Sequence, residues 1–99
     1  MALGLAVVEG LSMVPSYAPG ERLIVRYGAS FEVGDVVLVD FKNRIDIKRV
    51  KSISGDQVFI EGDNDSVSVD SRQYGPVKNS RVIAKVVYRL PSWLIRKQN

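Results

Sequence analysis

Short apolar runs bounded by turn-forming residues limit this chain, more than any other feature, to a fold made of strands. Five runs rich in Val and Ile cover residues 23–25, 35–41, 45–50, 57–61 and 81–88. Gly, Pro, Asp and Asn separate them, at residues 19–20, 33–35, 54–56 and 62–64. This spacing is typical of a small all-β protein. We expect a folded barrel or sheet of short antiparallel strands.

Helices are not expected, because no segment repeats its apolar residues at helical spacing. The nearest candidate is residues 12–17, which Pro15 limits to a single turn. The chain has 99 residues, and a chain of this size buries roughly 60 to 65% of its unfolded surface. One domain spanning residues 1–99 is therefore expected.

The charge of the chain is only mildly basic. Its 14 basic and 11 acidic residues give a net charge of +3, and the basic residues are scattered. This pattern does not by itself imply nucleic acid as a partner. The absence of Cys leaves the redox compartment open. We expect no nucleic acid, no metal and no other cofactor.

Ser12 and Lys48 are the candidate catalytic residues. Ser12 lies in Gly-Leu-Ser-Met-Val-Pro at 10–15, and Lys48 lies in Ile-Lys-Arg-Val at 47–50. Because the chain contains no His and no Cys, it can form neither an imidazole-assisted serine nor a thiolate nucleophile. A serine with a lysine base is the nucleophilic option that remains. The lysine must be uncharged, and burial lowers the pKa of an amine because the charged form loses hydration.

Each of these residues also has a purely structural interpretation. On its own, Ser12 beside Gly10 is typical of a turn, and Lys48 is typical of a solvated strand. Strand alternation conflicts mildly with a buried Lys48, because it turns Ile47 toward solvent. A sheet covered on both faces would remove that conflict.

A third string, Gly-Asp-Asn-Asp-Ser-Val-Ser-Val-Asp-Ser-Arg, occupies residues 62–72. It is the last of four ordered motifs that resemble those of the type I signal peptidase family, the others being Ser-Met-Val-Pro at 12–15, Gly-Asp-Val-Val at 34–37 and Lys-Arg-Val at 48–50. The resemblance covers most of the chain, from about Val8 to Val77. It implies a serine endopeptidase with a Ser/Lys dyad, whose catalytic core is similar to those of signal peptidases and SOS repressors.

The resemblance also implies a role for each motif residue. Ser12 would be the nucleophile and Lys48 the general base, and Ser68 would orient the lysine through a hydrogen bond. The alternative for Ser68 is a plain strand hydroxyl. Structural support is expected from Asp63, Asn64, Asp70, Ser71 and Arg72. Of these, Asp70 and Arg72 would pair beside the site, and the Asp-Asn pair would form a turn in which the Asn side chain bonds backbone.

The oxyanion is expected to bind to backbone N–H groups in the segment Gly10, Leu11 and Ser12. Some family members carry a hydroxyl residue two positions before the nucleophile, where this chain has Gly10, so the hole would rest on backbone donors. One lost donor costs about 10² to 10³ in rate. Gly10 is equally well interpreted as a tight-turn glycine. Met13 and Pro15 would line the substrate cleft, and Pro15 would also fix the turn that follows the nucleophile.

Only 13 residues lie between Lys48 and Gly62, too few for the large inserted β domain of many Gram-negative signal peptidases. The chain therefore resembles a minimal catalytic core. The resemblance implies removal of an N-terminal signal or pro-segment from a precursor protein, after a small residue. Compact relatives, such as the maturation protease of nickel-containing superoxide dismutase, are thought to process a single partner. A dedicated maturation protease of that kind is the alternative.

Residues 1–8 are apolar but far fewer than the ~20 needed to cross a bilayer, and they have no basic flank or cleavage-site pattern. We therefore expect no transmembrane anchor, in contrast to family members that carry a membrane helix ahead of the serine motif. The compartment stays open between a soluble, cytoplasmic protein and a truncated form of a membrane-anchored peptidase that faces outside.

The C-terminal end suggests two further partners. Trp93, Leu94 and Ile95 form an apolar patch flanked by cations, which suits a weak peripheral membrane contact. The alternative, which we favour slightly, is that Trp93 packs on the barrel as a lid on the core. A function of another class is a non-catalytic basic β-barrel that binds nucleic acid or peptides. Its basic face would be formed by Lys78, Arg81, Lys85, Arg89, Arg96 and Lys97.

Overall fold

Seven antiparallel strands form one sheet in the computed structural model, which describes residues 2–91. The strands are β1 (Leu3–Val7), β2 (Arg22–Tyr27), β3 (Val36–Phe41), β4 (Arg44–Ser54), β5 (Gln57–Glu61), β6 (Val77–Lys78) and β7 (Val82–Arg89). A short helix, α1 (Ser71–Tyr74), and a 3-10 turn (Asn79–Arg81) lie between β5 and β7. The order of strands in the sheet is β1-β2-β7-β3-β4-β5-β6. The prediction of an all-β fold of short antiparallel strands is confirmed.

Strand β3 is the centre of the core, because all four of its first residues, Val36 to Val39, are buried. Successive side chains of a strand point to opposite faces, so both faces of the sheet are covered here. One face packs in a cluster of Val37, Val39, Val50, Val58, Ile60 and Val77. The other face packs in two clusters, formed by Val8, Met13, Tyr17, Leu23 and Val36 and by Val25, Leu38 and Ala84.

The hairpin of β3 and β4 carries the candidate base. Its two-residue turn, Lys42-Asn43, has positive φ at both positions, 55° and 62°. This conformation is the type I′ turn, whose twist matches that of the flanking strands. The register then pairs Lys48 with Val37, in the buried middle of the sheet.

Strand β1 is an element that the apolar runs did not predict. Its alternation is inverted, since Leu3, Leu5 and Val7 are exposed while Gly4 and Ala6 are half-buried. A search for apolar side chains that face the core therefore misses this edge strand. Strand β6 is missed for a simpler reason, because two residues are too few to show a period.

Helix α1 also departs from the expectation of no helix. It has only four residues, and it begins with a capping box in which the Asp70 carboxylate caps the first turn and the Gln73 side chain caps Asp70 in return. The capping box makes so short a helix possible.

Several predictions fall on residues beyond 91. The predicted patch at Trp93, Leu94 and Ile95 lies outside the described residues, and so do Arg96 and Lys97 of the predicted basic face. Within residues 2–91, no helix has the length and apolar character needed to cross a membrane.

Candidate active site

Lys48 lies in β4 with only 3% of its surface exposed, and its Nζ donates a hydrogen bond of 3.0 Å to Ser68 Oγ. Ile47 does not face open solvent, because it is partly buried against the two clusters on the other face of the sheet. Both faces of β4 are thus covered at this point. The conflict that strand alternation raised against a buried Lys48 disappears.

Burial is the main influence on the pKa of Lys48. Loss of hydration lowers the pKa of the amine below its usual value, and this effect outweighs the negative charges of Asp46 and Asp70, which raise it. The positive charges of Arg44 and Arg72 add to the lowering. The environment of Lys48 therefore favours the uncharged amine that a general base needs.

Ser68 links the lysine to a buried carboxylate. Its hydroxyl donates a short hydrogen bond to Asp70 Oδ2 and accepts hydrogen bonds from Lys48 Nζ and from the Gly62 N–H, the latter at 3.2 Å. The Gly62 N–H also lies 2.7 Å from Asp70 Oδ2. Because the Ser68 proton points to Asp70, the Ser68 oxygen meets Lys48 as an acceptor.

Asp70 is completely buried, and Arg72 neutralises its charge. The Arg72 Nη2 lies 2.6 Å from Asp70 Oδ2, and Nε lies 3.0 Å from Oδ1. Burial alone would raise the pKa of the Asp70 carboxyl, but hydrogen bonds from Arg72, Ser68 and the Gly62 N–H hold it well below its usual range. The structure thus pairs Asp70 with Arg72, and Ser71 lies between them with its Oγ accepting from the Ile60 N–H.

Residues 11–17, which we call the nucleophile turn, present Ser12. The Val14 N–H bonds Leu11 O at 3.1 Å, and the Tyr17 N–H bonds Met13 O at 2.9 Å, so the segment forms a single turn. Met13 is only 1% exposed and packs in the core, so it reaches the cleft from beneath. Pro15 is exposed and does not line the cleft.

Asn64 holds the first half of this turn. Its N–H donates to Ser12 O at 2.8 Å, and its Nδ2 donates to Leu11 O at 3.0 Å. The Asn side chain thus bonds backbone, as a turn residue would, but its partner lies 53 residues away in sequence. Asp63 is held in turn by Arg49, whose Nε and Nη2 lie 2.9 Å and 2.8 Å from the two carboxylate oxygens.

Gly62 begins the third motif, but the sequence analysis assigned it no role. A Cβ atom there would clash with the Ser68 hydroxyl and would lie 2.6 Å from Ser12 O. The backbone at Gly62 therefore lies against both Ser68 and the backbone of the nucleophile turn, at a point where only glycine fits. Arg49 was also missed, although it follows the candidate base directly in the Lys-Arg-Val string.

A cleft of about 1090 Å³ joins the two candidate catalytic residues, since both Ser12 and Lys48 line it. Its apolar lining includes Val7, Leu11, Ile45, Val67 and Val69, all of which are exposed. Charged side chains of Glu9, Lys42, Arg44 and Asp46 lie at its borders. The lining is suited to a peptide segment with aliphatic side chains.

The segment from Gly10 to Ser12 also lines this cleft. Gly10 has φ of 73°, in the left-handed region where glycine is favoured. Among the hydrogen bonds found within residues 2–91, none uses the Ser12 N–H as donor. The turn thus leaves a backbone donor next to the Ser12 hydroxyl.

Comparison with known proteins assigns the chain to a family. A family model described as Peptidase S24-like matches residues 2–87, and the chain belongs to this family. The chain is similar to mitochondrial inner membrane protease subunit 1 of Schizosaccharomyces pombe, with 29% identity over 119 residues that cover 89% of this chain and 75% of the relative. It is also similar to signal peptidase I of Bacillus licheniformis, with 41% identity over 63 residues that cover 58% of this chain and 34% of the relative.

These similarities identify the chain as a serine peptidase related to signal peptidases. They agree with the resemblance that the four ordered motifs carry. The further resemblance to the maturation protease of nickel-containing superoxide dismutase stays a prediction.

Gly62→Ala tests the close approach at the centre of the site. The added methyl group must displace either Ser68 or the Ser12 carbonyl, and overpacking of this kind costs about 1–3 kcal/mol. We expect a lower melting temperature and loss of most peptidase activity. Gly4→Ala is the matched control, because its methyl group meets only the exposed ring of Tyr27, which can move away. Equal melting temperatures and activities for the two variants would contradict this account of Gly62.

Proposed function

We propose that this protein is an endopeptidase that uses Ser12 as nucleophile and Lys48 as general base to remove an N-terminal signal or pro-segment from a precursor protein. The observation that carries the proposal is a buried Lys48 with a lowered pKa that shares one cleft with Ser12. The name of one relative, signal peptidase I, supports a precursor protein with a signal peptide as substrate. Cleavage after a small residue rests on the resemblance to signal peptidases.

The proposed reaction proceeds through an acyl-enzyme. Ser12 Oγ forms a bond with the scissile carbonyl carbon while its proton passes to Lys48 Nζ, and backbone N–H groups at Gly10 to Ser12 stabilise the oxyanion. The protonated Lys48 then gives its proton to the leaving amine as the peptide bond breaks. A water molecule then attacks the ester as Lys48 takes one of its protons. The ester bond breaks as Lys48 returns that proton to Ser12 Oγ, and the acyl product leaves as a carboxylic acid.

The hydrogen bonds around Ser68 favour this use of Lys48. A neutral amine has two N–H donors and one lone pair, and it spends one donor on Ser68. The Ser68 proton is engaged by Asp70, so it does not occupy the lone pair of Lys48. The lone pair remains available for the proton of Ser12. A carboxylate in direct contact with Lys48 would instead stabilise the charged form.

Two alternatives to this function differ from it, one in the range of its substrates and the other in having no catalytic activity. A dedicated maturation protease would use the same dyad on one partner. A non-catalytic basic binder has less support, because Lys85 pairs with Asp35 and Arg89 pairs with Glu21, which neutralises part of the predicted basic face. A binder also gives no reason to bury Lys48.

Ser12→Ala and Lys48→Met test the dyad. Each variant removes one reacting group at nearly constant shape, and each should abolish cleavage of a precursor peptide while leaving the melting temperature close to that of the parent protein. The two residues act as one unit, so the double variant should be hardly slower than either single variant. Mass spectrometry of the products measures the rate and the cleavage site together. More than a few per cent of parent activity in either variant would refute the dyad.

The pH profile tests the base. The uncharged fraction of Lys48 grows as pH rises. The rate should therefore rise with pH and level off above the pKa of Lys48, which lies below 10.5, the ordinary value of the amine.

Ser68→Ala tests the partner of Lys48. It should lower the rate roughly 10- to 100-fold, through loss of a buried hydrogen bond that contributes about 1–3 kcal/mol. Ser52→Ala, at an exposed position of β4, is the control. A profile that peaks near pH 5, or an unchanged rate for Ser68→Ala, would contradict these roles.

We also propose a weak contact with anionic membranes through strand β1. Leu3, Leu5 and Val7 are exposed on one face, and the register places Arg26 and Arg22 beside the first and last of them. Apolar side chains between cations suit the boundary of a lipid headgroup layer. The name of one relative associates that relative with a membrane.

Vesicle sedimentation tests this contact. The protein should pellet with phosphatidylserine-containing vesicles at low salt and less so at higher salt, because salt screens the attraction to the arginines. Leu5→Ser should weaken sedimentation and leave the cleavage of soluble peptides unchanged. Ile53→Ser, an equally drastic change at an exposed position of β4, should sediment like the parent protein. No sedimentation at low salt, or equal sedimentation of both variants, would rule out a contact through β1.

A further inference from the structure

Arg89, at the end of β7, contacts the second half of the nucleophile turn at Ser16 and Tyr17 and pairs with Glu21 beyond it. Its Nη2 donates to Ser16 O at 2.9 Å, and its Nε lies 2.6 Å from Glu21 Oε2. Its guanidinium carbon lies 4.3 Å from the centre of the Tyr17 ring. One planar side chain thus holds a carbonyl, a carboxylate and an aromatic face.

The groups that Arg89 holds are linked to the segment around Ser12 through Met13 and Val8. Tyr17 is only 9% exposed and packs with Met13, the neighbour of Ser12, and its N–H bonds Met13 O. Glu21 accepts a hydrogen bond from the Ala18 N–H, and its own carbonyl accepts from the Val8 N–H at 2.8 Å. Arg89 therefore fixes the backbone at the point where the chain leaves the nucleophile turn.

The nucleophile turn is thus held at both ends. Asn64 bonds the carbonyls of Leu11 and Ser12 on one side, and Arg89 bonds the carbonyl of Ser16 on the other. Between these two points, the turn has few bonds of its own.

The exposure of the Arg89 side chain indicates that its contacts contribute little to the stability of the folded protein. The Arg89 side chain is 51% exposed and that of Glu21 is 18% exposed. Exposed ion pairs contribute little to the stability of the folded state. Loss of Arg89 should therefore affect the geometry of the turn much more than the stability of the sheet.

We propose that Arg89 is a positioning residue, which aims Ser12 at Lys48 by fixing the backbone of the nucleophile turn at Ser16. This inference rests on the proposed function of Ser12 as nucleophile. It assigns a part in catalysis to a residue outside the four motifs, at the opposite end of the turn from Asn64.

Steady-state kinetics of Arg89→Gln and Arg89→Lys, with a precursor-derived peptide, test the inference. A displacement of about 1 Å at the reacting atoms can cost about 100-fold in rate, so we expect Arg89→Gln to lower kcat about 10- to 100-fold. KM should change less than about threefold, since the cleft itself is intact. Arg89→Lys should fall between the parent and Arg89→Gln, because an ammonium keeps the pair with Glu21 but lacks the planar fork. Arg81→Gln, which removes an exposed arginine from the 3-10 turn, should behave like the parent protein.

Thermal unfolding of the same variants completes the test. A parent-like kcat for Arg89→Gln would overturn the inference, and so would a loss of activity that only matches the fraction of unfolded protein. Should Arg89→Gln fail to fold, Glu21→Gln decides instead, since it loosens Arg89 and should lower kcat by a smaller factor; an unchanged kcat there overturns the inference. Ser12→Ala in the same assay keeps the two proposals apart. If Ser12→Ala still cleaves, the proposed function fails, whereas an inactive Ser12→Ala beside a fully active Arg89→Gln removes the role of Arg89 alone.

Discussion

The hydrogen bond between Lys48 and Ser68 is the interaction on which the site depends. A buried ammonium without a partner is costly, and the same burial that makes it costly favours the neutral amine. One hydroxyl acceptor satisfies that amine and adds no charge next to it. The negative charge is kept one step away on Asp70, where Arg72 balances it. The structure thereby separates the group that orients the lysine from the group that carries the charge.

The other half of the site depends on a close approach of two backbones. Gly62 donates its N–H to both Ser68 and Asp70, and its bare Cα lies against Ser12 O. Asn64, two residues later, bonds the nucleophile turn directly. A single short segment therefore positions both Ser68, the partner of Lys48, and the turn that carries Ser12. Its position is fixed in turn by the ion pair of Asp63 with Arg49, the residue next to Lys48 in β4.

The sheet explains why these contacts are possible in so small a protein. Strand β3 is buried on both faces, so β4 beside it offers covered positions on both faces, for Lys48 and Val50 on one and for Ile47 on the other. A sheet with one solvated face would have left one of two neighbouring positions in water. Covering both faces requires the nucleophile turn to pack as part of the core, which is why Met13 and Tyr17 are buried beneath Ser12.

The sequence by itself determined the all-β class and the main strands, and it predicted the reacting groups that we propose. β-branched runs between turn residues carry the first two, and the absence of His and Cys leaves a lysine as the candidate base for Ser12. Strand β1 was not predictable, because its apolar side chains face outward. The tertiary structure alone decided that Met13 is core, that Asn64 bonds Leu11, that Gly62 must be bare and that Arg89 reaches Ser16. Each of these contacts joins residues far apart in the chain, and their partners are chosen by the packing of the sheet, which no local pattern of residues encodes.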